Sequence, residues 1–307
     1  MSQILVVAGP TASGKTGLAI RLAKEYGGEV ISADSMQIYQ HMNIASAKPT
    51  VEEMEGIPHH LLDFVSPFSP FSVADYVKLA KEKIEEITKR GNLPILCGGT
   101  GLYISSLVDN IEFTEAETDF SVRNRLIQEA EEKGIVPLYE RLQGIDPEAA
   151  EKIHPNNQKR VIRALEIFET TGLTLSQQNA RSRLNPPSFT AYMLALCPPR
   201  EVLYQRIDMR VDAMERQGLF EETKALQAMG LQRDMQSMQG IGYKEAFDYL
   251  AGKVSREECL EEIKKATRHY AKRQLTWFRR DKRYIWVDPT DEKNVTTAME
   301  AFTWKNP

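Results

Sequence analysis

Between an apolar run, QILVVA, and a stretch of helical spacing from Lys15 to Tyr26 stand eight residues, GPTASGKT, that satisfy the pattern G-x-x-x-x-G-K-[ST]. That pattern in that setting restricts the fold more than any other feature of the chain. A buried strand must deliver the turn, glycines must let its backbone curl, and a helix must begin at the lysine so that its free amides face the enclosed space. Gly9, Pro10, Thr11, Ala12, Ser13, Gly14, Lys15 and Thr16 are therefore expected to cradle a phosphate, with Lys15 adding charge and Thr16 placed to ligate Mg²⁺. Which phosphate ester they hold is not written in the pattern.

The segments that follow keep the same alternation. Gly27 and Gly28 stop the first helix, and GEVISA reads as a second buried strand. Ser72 with Asp75 predicts a capped helix start, Tyr76, Val77, Leu79, Ala80, Ile84 and Ile87 keep helical spacing, and NLPILCGG supplies a further strand. The fold class is α/β, a P-loop NTPase-like core with a mainly parallel sheet flanked by helices, whose ligands sit at the carboxyl ends of the strands. Near Glu115 the texture changes to helical periods and short turns, GIDPEAA and IHPNNQ among them, without a convincing strand. We expect an inserted all-helical subdomain over 115–185, between a first core part, 1–114, and a continuation, 186–307. The continuation begins at the strand-like SFTAYMLALC. Helices follow at Arg200–Gln217, Phe220–Gln227 and Arg256 to about Arg279, then a last strand-like RYIWV.

Lysine and arginine number 39 against 43 aspartate and glutamate, so bulk charge does not mark a polyanion binder and any such site must be local. Cys97, Cys197 and Cys259 lie far apart without C-x-x-C spacing, which argues against a disulfide framework or a zinc site and favours a reducing compartment. No apolar run approaches the roughly 20 residues that span a bilayer, and the chain opens on a core strand rather than a leader. The expectation is a cytoplasmic protein with no membrane partner.

Asp34 stands at the carboxyl end of the second strand, facing the mouth of the phosphate loop, and a metal-holding aspartate of a kinase would look much the same. An Asp-Ser pair capping the next turn is the plainer alternative. The polar group Asp34, Ser35, Gln37 is large for a simple turn, however, and CGGTGLY offers a second polar loop. There Gly98, Gly99 and Gly101 permit close approach and leave Thr100 able to orient a reacting group.

The motifs GPTASGKT, ISADSMQIY, AKP, PHHLLD, PILCGGTGLY, HPNNQKRVIRALE, GIGYKE and AKRQLTWFRR occur in the order and spacing of the bacterial tRNA dimethylallyltransferases, or isopentenyltransferases, which this chain resembles as far as about Trp286. The resemblance implies transfer of a dimethylallyl group from dimethylallyl pyrophosphate to N6 of the adenosine 3′-adjacent to the anticodon, position 37, with release of pyrophosphate. The phosphate loop would then hold the pyrophosphate rather than ATP. Transfer to a free adenine nucleotide, a P-loop kinase, and an RNA-binding protein with a relict loop remain the rival readings. The chain departs from the family's usual Gly-Met-Asp-Ile-Gly-Thr before AKP, reading His41-Met42-Asn43-Ile44-Ala45-Ser46.

From the resemblance, Asp34 is the expected general base, Thr100 hydrogen-bonds nearby, and Lys15 and an arginine of QRIDMRVDAM reach the pyrophosphate. Arg206 and Arg210 are one turn apart on a shared face, with Arg206 preferred. Expected tRNA contacts are Asp34, Ser35, Met36, Gln37 and Thr100, then Arg123, then Lys159, Arg160, Val161, Ile162 and Arg163. The loop Gln239, Gly240, Ile241, Gly242, Tyr243 and Lys244 joins them, as do Arg268, Lys272 and Arg273 from a basic strip interleaved with aromatics. Val161, Leu165 and Phe168 share a stripe that can be buried while Lys159, Arg160 and Arg163 project elsewhere. Mg²⁺ is the expected cofactor, the tRNA anticodon stem-loop and dimethylallyl pyrophosphate the partners, and the protein a monomer.

Overall fold

The structure is a computed structural model, and it describes residues 2–111, 113, 120–182 and 185–304. The chain forms two compact units, one of 1–108 with 188–307 and one of 109–187. The junction expected at 114/115 lies outside the described residues.

The larger unit is built on β1 (Ser2–Ala8), α1 (Lys15–Tyr26), β2 (Gly28–Ala33), β3 (His59–His60), α2 (Val73–Lys89), β4 (Leu93–Gly98) and α3 (Gly101–Val108). The sequence between 109 and 187 contributes α4 (Phe120–Lys133), α5 (Val136–Ile145), α6 (Pro147–Lys152), α7 (Gln158–Thr171) and α8 (Leu175–Ser182) to the other unit. The larger unit resumes with β5 (Phe189–Leu196), α9 (Arg200–Arg216), α10 (Leu219–Ala228), a 3₁₀ turn at Ser237–Gln239, α11 (Tyr243–Leu250), α12 (Arg256–Phe278), β6 (Ile285–Val287) and α13 (Glu292–Met299).

The strands form one sheet in the order β3-β2-β4-β1-β5-β6, and every neighbouring pair runs parallel. β2 and β4 are buried along their whole length, as strands covered on both faces must be; β4 reads as an unbroken apolar run, whereas β2 carries the buried Glu29 and Ser32. Parallel register brings the carboxyl ends of β1, β2 and β4 level, with Ala8 beside Gly98 and Gly98 beside Ala33. The loops after these strands therefore emerge together. A core of Leu5, Val7, Leu22, Leu93, Leu194 and Val287 fixes them from below.

Local signals hold where the chain alone decides the geometry. Gly27 ends α1 in the left-handed region at φ 65°, and Ser72 and Asp75 close a reciprocal capping box on α2. β3 is two residues long, too short to show an alternation, and α13 is an eight-residue helix that buries only Val295 and Met299; the sequence reading contains neither. GIDPEAA is only partly a turn: Asp146 caps α6 by accepting the Ala149 amide at 3.1 Å, and Pro147 opens the helix.

At the amino end of β2, Glu29 is 4% exposed and accepts from Arg90 Nε (3.0 Å), Arg90 Nη2 (2.7 Å) and Asn92 Nδ2 (2.8 Å), with His60 Nε2 at 2.6 Å. Burial alone would raise its pKa, but the hydrogen bonds from Arg90, Asn92 and His60 outweigh it and hold the carboxyl at about 2. A depressed carboxylate stabilises the fold above its unfolded value near 4.5, and that contribution is lost as the pH falls to about 2. Urea titrations should show Glu29→Gln less stable by on the order of 2 kcal/mol at neutral pH, with the gap closing between pH 4.5 and 2.

Candidate functional site

β1 ends at Ala8, and the chain curls through Gly9–Gly14 before α1 begins. Ala12 (φ 61°) and Gly14 (φ 89°) both take left-handed backbone, which turns successive amides toward one concavity. A methyl group on Gly9 would come within 2.8 Å of Ser13 Oγ and 3.3 Å of the Leu196 carbonyl, so only glycine lets the loop close here. No side chain caps α1, which leaves its first-turn amides for a ligand. Ser13 is fully buried and its hydroxyl has no partner, an orphaned donor inside the cradle.

Lys15 donates to the Pro10 carbonyl at 3.4 Å. Burial lowers its pKa; Cys97 and Asp34 pull the other way, and Arg210 adds to the decrease. Thr11, Lys15, Asp34 and Arg210 line one cavity of about 290 Å³, so the loop and the carboxylate face a shared space. Asp34 Oδ1 accepts the amides of Met36 (2.9 Å) and Gln37 (3.3 Å). The plainer reading of Asp34 as a turn cap is thus true of one oxygen and does not exclude the other role. Thr100 Oγ1 accepts the Ser35 amide at 3.1 Å and donates to Ser35 Oγ at 3.4 Å, so its hydroxyl fixes the turn that carries Asp34.

Arg210, rather than Arg206, stands in the cavity wall, where its Nη1 donates to Thr11 Oγ1 at 3.3 Å. Arg206 reaches the phosphate loop from the same helix, with Nη1 at 3.8 Å from a methyl built on Gly14. One turn separates the two, and periodicity cannot rank residues that share a face.

Helix α12 supplies a wall through Ile263, Thr267, Tyr270, Arg273 and Gln274. The sequence did not single out Gln274. Its side chain accepts the Thr11 amide (2.9 Å) and donates to the Gly99 carbonyl (2.9 Å), tying the phosphate loop to the loop after β4. The glycine pair at the end of β4 implies a close approach without naming what approaches: a methyl at Gly98 would lie 2.1 Å from the Ala33 carbonyl, and one at Gly99 2.2 Å from Gln274 Nε2. Tyr270 carries a phenol whose pKa is raised by burial and then by the charge of Asp34. Gln274→Leu should remove both bonds and leave the Thr11 amide and Gly99 carbonyl unpaired, costing about 1–3 kcal/mol in chemical denaturation and loosening the loop measurably in donor binding.

The remaining candidates divide. Ser35, Met36, Gln239, Gly240, Ile241, Tyr243, Lys244 and Arg273 line the cavity. The Gln37 amide is instead committed to the carbonyls of Ser46 (3.2 Å) and Ala47 (2.9 Å). Tyr243 is fully buried and donates to Glu222, so its side chain builds the wall. Gly242 holds φ 104° at the start of α11. Arg268 pairs with Asp208 at 2.6 Å, whereas Lys272 is exposed.

Within the helical unit, Arg123 and Arg163 both pair with Glu166, at 2.9 and 3.1 Å, and Lys159 and Arg160 are exposed. Val161 and Ile162 are 0% and 5% exposed in that unit's core, where their side chains pin α7 from within, beside the buried Leu165 and the half-buried Phe168.

Thr16 and Asp34 meet in a small recess with Ser32 and Gln37. Among the described residues no group of three or more His, Cys, Asp or Glu could hold a metal. A hydroxyl and one carboxylate fit a hydrated, oxygen-preferring cation such as Mg²⁺ whose remaining protein-independent ligands would be phosphate oxygens and water.

The family described as IPP transferase matches residues 37–281. The tRNA dimethylallyltransferase of Acetivibrio thermocellus is 50% identical over 299 residues, covering 96% of this chain and 96% of its own. A crystal structure of the tRNA isopentenylpyrophosphate transferase of Bacillus halodurans is 44% identical, with a TM-score of 0.71 over 97% of this chain and 93% of that one. A eukaryotic dimethylallyltransferase captured acting on tRNA is 32% identical, with a TM-score of 0.82 over 97% of this chain and 78% of that one.

Proposed function

The chain belongs to the IPP transferase family and is a prenyltransferase acting on tRNA, and from that premise we propose that it moves a dimethylallyl group from dimethylallyl pyrophosphate to N6 of adenosine 37. The observation that carries the assignment of roles is the single cavity lined by the phosphate loop and Asp34.

Displacement at an allylic carbon needs a stabilised leaving group, a positioned amine and an acceptor for its proton. The uncapped first-turn amides of α1, Lys15 and Arg210, with Arg206 beside Gly14, hold the pyrophosphate. Mg²⁺, when bound at Thr16 and the pyrophosphate, supplies further charge neutralisation. Val211, Met214, Ile241 and Ile263 in the cavity lining suit an apolar five-carbon chain and exclude water from it. As the N6–C1 bond forms, the C1–O bond electrons leave on the pyrophosphate, and the N6 proton passes to Asp34. Thr100 keeps that carboxylate in place through Ser35. The adenine leaves its stack to enter, a cost of a few kcal/mol that contacts elsewhere on the RNA offset. Exposed Lys159, Arg160 and Lys272 suit phosphate contacts, and Arg273 and Lys244 the loop nucleotides at the cavity.

No helix among the described residues is long and apolar enough to cross a membrane. The three cysteines are free, which suits a reducing, cytoplasmic setting. Incubating the protein with dimethylallyl pyrophosphate, Mg²⁺, total tRNA and competing AMP, then digesting the RNA, should yield N6-dimethylallyladenosine in tRNA. Label found only in AMP, or nowhere, overturns the assignment.

A further inference from the structure

Two loops far apart in sequence, 43–47 and 239–244, contribute to the cavity wall, and one carboxylate ties them together. Glu222 on α10 accepts the amides of Asn43 (3.0 Å) and Ile44 (3.0 and 3.1 Å) and the hydroxyl of Tyr243 (2.7 Å). The loops touch closely: a methyl on Gly242 would lie 2.7 Å from Ala45 Cβ. The chain into and through the 43–47 segment is strained, because His41 (φ 65°) just before it and Ala47 (φ 49°) at its end sit in left-handed backbone without being glycine.

From that anchor a hydrogen-bonded path leads to Asp34. The Ser46 and Ala47 carbonyls receive the Gln37 side-chain amide at 3.2 and 2.9 Å, and the Gln37 backbone amide donates to Asp34 Oδ1 at 3.3 Å. Ser32 Oγ donates to Gln37 Oε1 at 3.4 Å and closes the path on β2. We infer that Glu222 is a positioning residue for Asp34, acting through the 43–47 loop and Gln37, and that Tyr243 locks Glu222 in the orientation this requires. The inference rests on the transferase reading above.

The test compares full-length wild type, Glu222→Gln, Tyr243→Phe, Gln37→Ala and the double variant Glu222→Gln/Gln37→Ala. In Glu222→Gln, amide hydrogen exchange over 42–48 speeds up and kcat falls about tenfold, since a displacement well under 1 Å at a reacting group is worth that much. The Kd for tRNA stays within about twofold, because Glu222 is itself outside the cavity lining and the change leaves Lys244 and Arg273 in place. The double variant loses no more kcat than Gln37→Ala alone, because both act on one path. Tyr243→Phe deletes one hydroxyl and should lose about threefold in kcat; it carries the test if Glu222→Gln does not fold. Faster exchange with unchanged kcat, additive losses in the double variant, or a kcat loss matched by lost tRNA binding each overturn the proposal. Unchanged exchange over 42–48 overturns the tether itself, whereas absence of transfer by wild type refutes the transferase reading instead.

Discussion

Asp34→Asn is expected to lower kcat by about 10²–10⁴-fold while tRNA binding remains within about twofold. Asparagine keeps an oxygen that can accept the Met36 and Gln37 amides, so the turn after β2 survives the change. What it loses is the negative charge that faces Lys15 and Arg210 across the cavity, and the ability to take a proton. An exocyclic adenine amine is a poor base, and positive charge grows on its nitrogen only as the new bond forms. The carboxylate therefore acts mostly on the transition state, and the loss falls on kcat more than on KM. Single-turnover transfer with radiolabelled donor, alongside filter binding of tRNA, separates the two quantities. Equal losses in turnover and tRNA affinity would mean that Asp34 holds RNA instead of moving a proton.

Lys15→Ala should cost about 10²–10³-fold in kcat/KM for dimethylallyl pyrophosphate, comparable to removing one preorganised charge donor from a developing oxyanion. The ammonium sits beside Pro10 in a partly buried site, where its charge is opposed by little water. Both ground state and transition state carry charge on the pyrophosphate, so KM for the donor rises and kcat falls together, while KM for tRNA is unchanged. Lys15→Arg should recover little, because a planar guanidinium does not fit where a compact ammonium reaches into the loop. Full activity in Lys15→Ala at saturating donor would show that the amides and Arg210 suffice.

The parts of the fold that local chemistry dictates were legible: the strand–turn–helix at Gly9–Thr16, the glycine stop at Gly27 and the capping box of Ser72 with Asp75 each need only neighbouring residues. Long-range polar partners were not. Gln274 joins Thr11 to Gly99 and Glu222 joins Asn43 to Tyr243, and a lone Gln or Glu on a helix face carries no period that reveals a partner. The 3.6-residue period places the Val161 side chain inside, as found, while the role of its stretch toward RNA is not a matter of period. Asp34 shows the converse limit, since turn cap and cavity carboxylate are indistinguishable until the loops that meet it are placed.

The strand order also dictates when this enzyme can begin to exist during its own synthesis. β1 lies between β4 and β5, with Ser2 beside Phe189, and Arg210 and Gln274 come later still. At roughly 5–20 residues per second on the ribosome, the first strand waits about 10–40 s for its second neighbour, while the helical unit between them is completed first. β1 therefore presents one unpaired apolar edge until β5 is made, and slowing elongation between Asp109 and Pro187 should lower the soluble yield more than slowing it after Phe278.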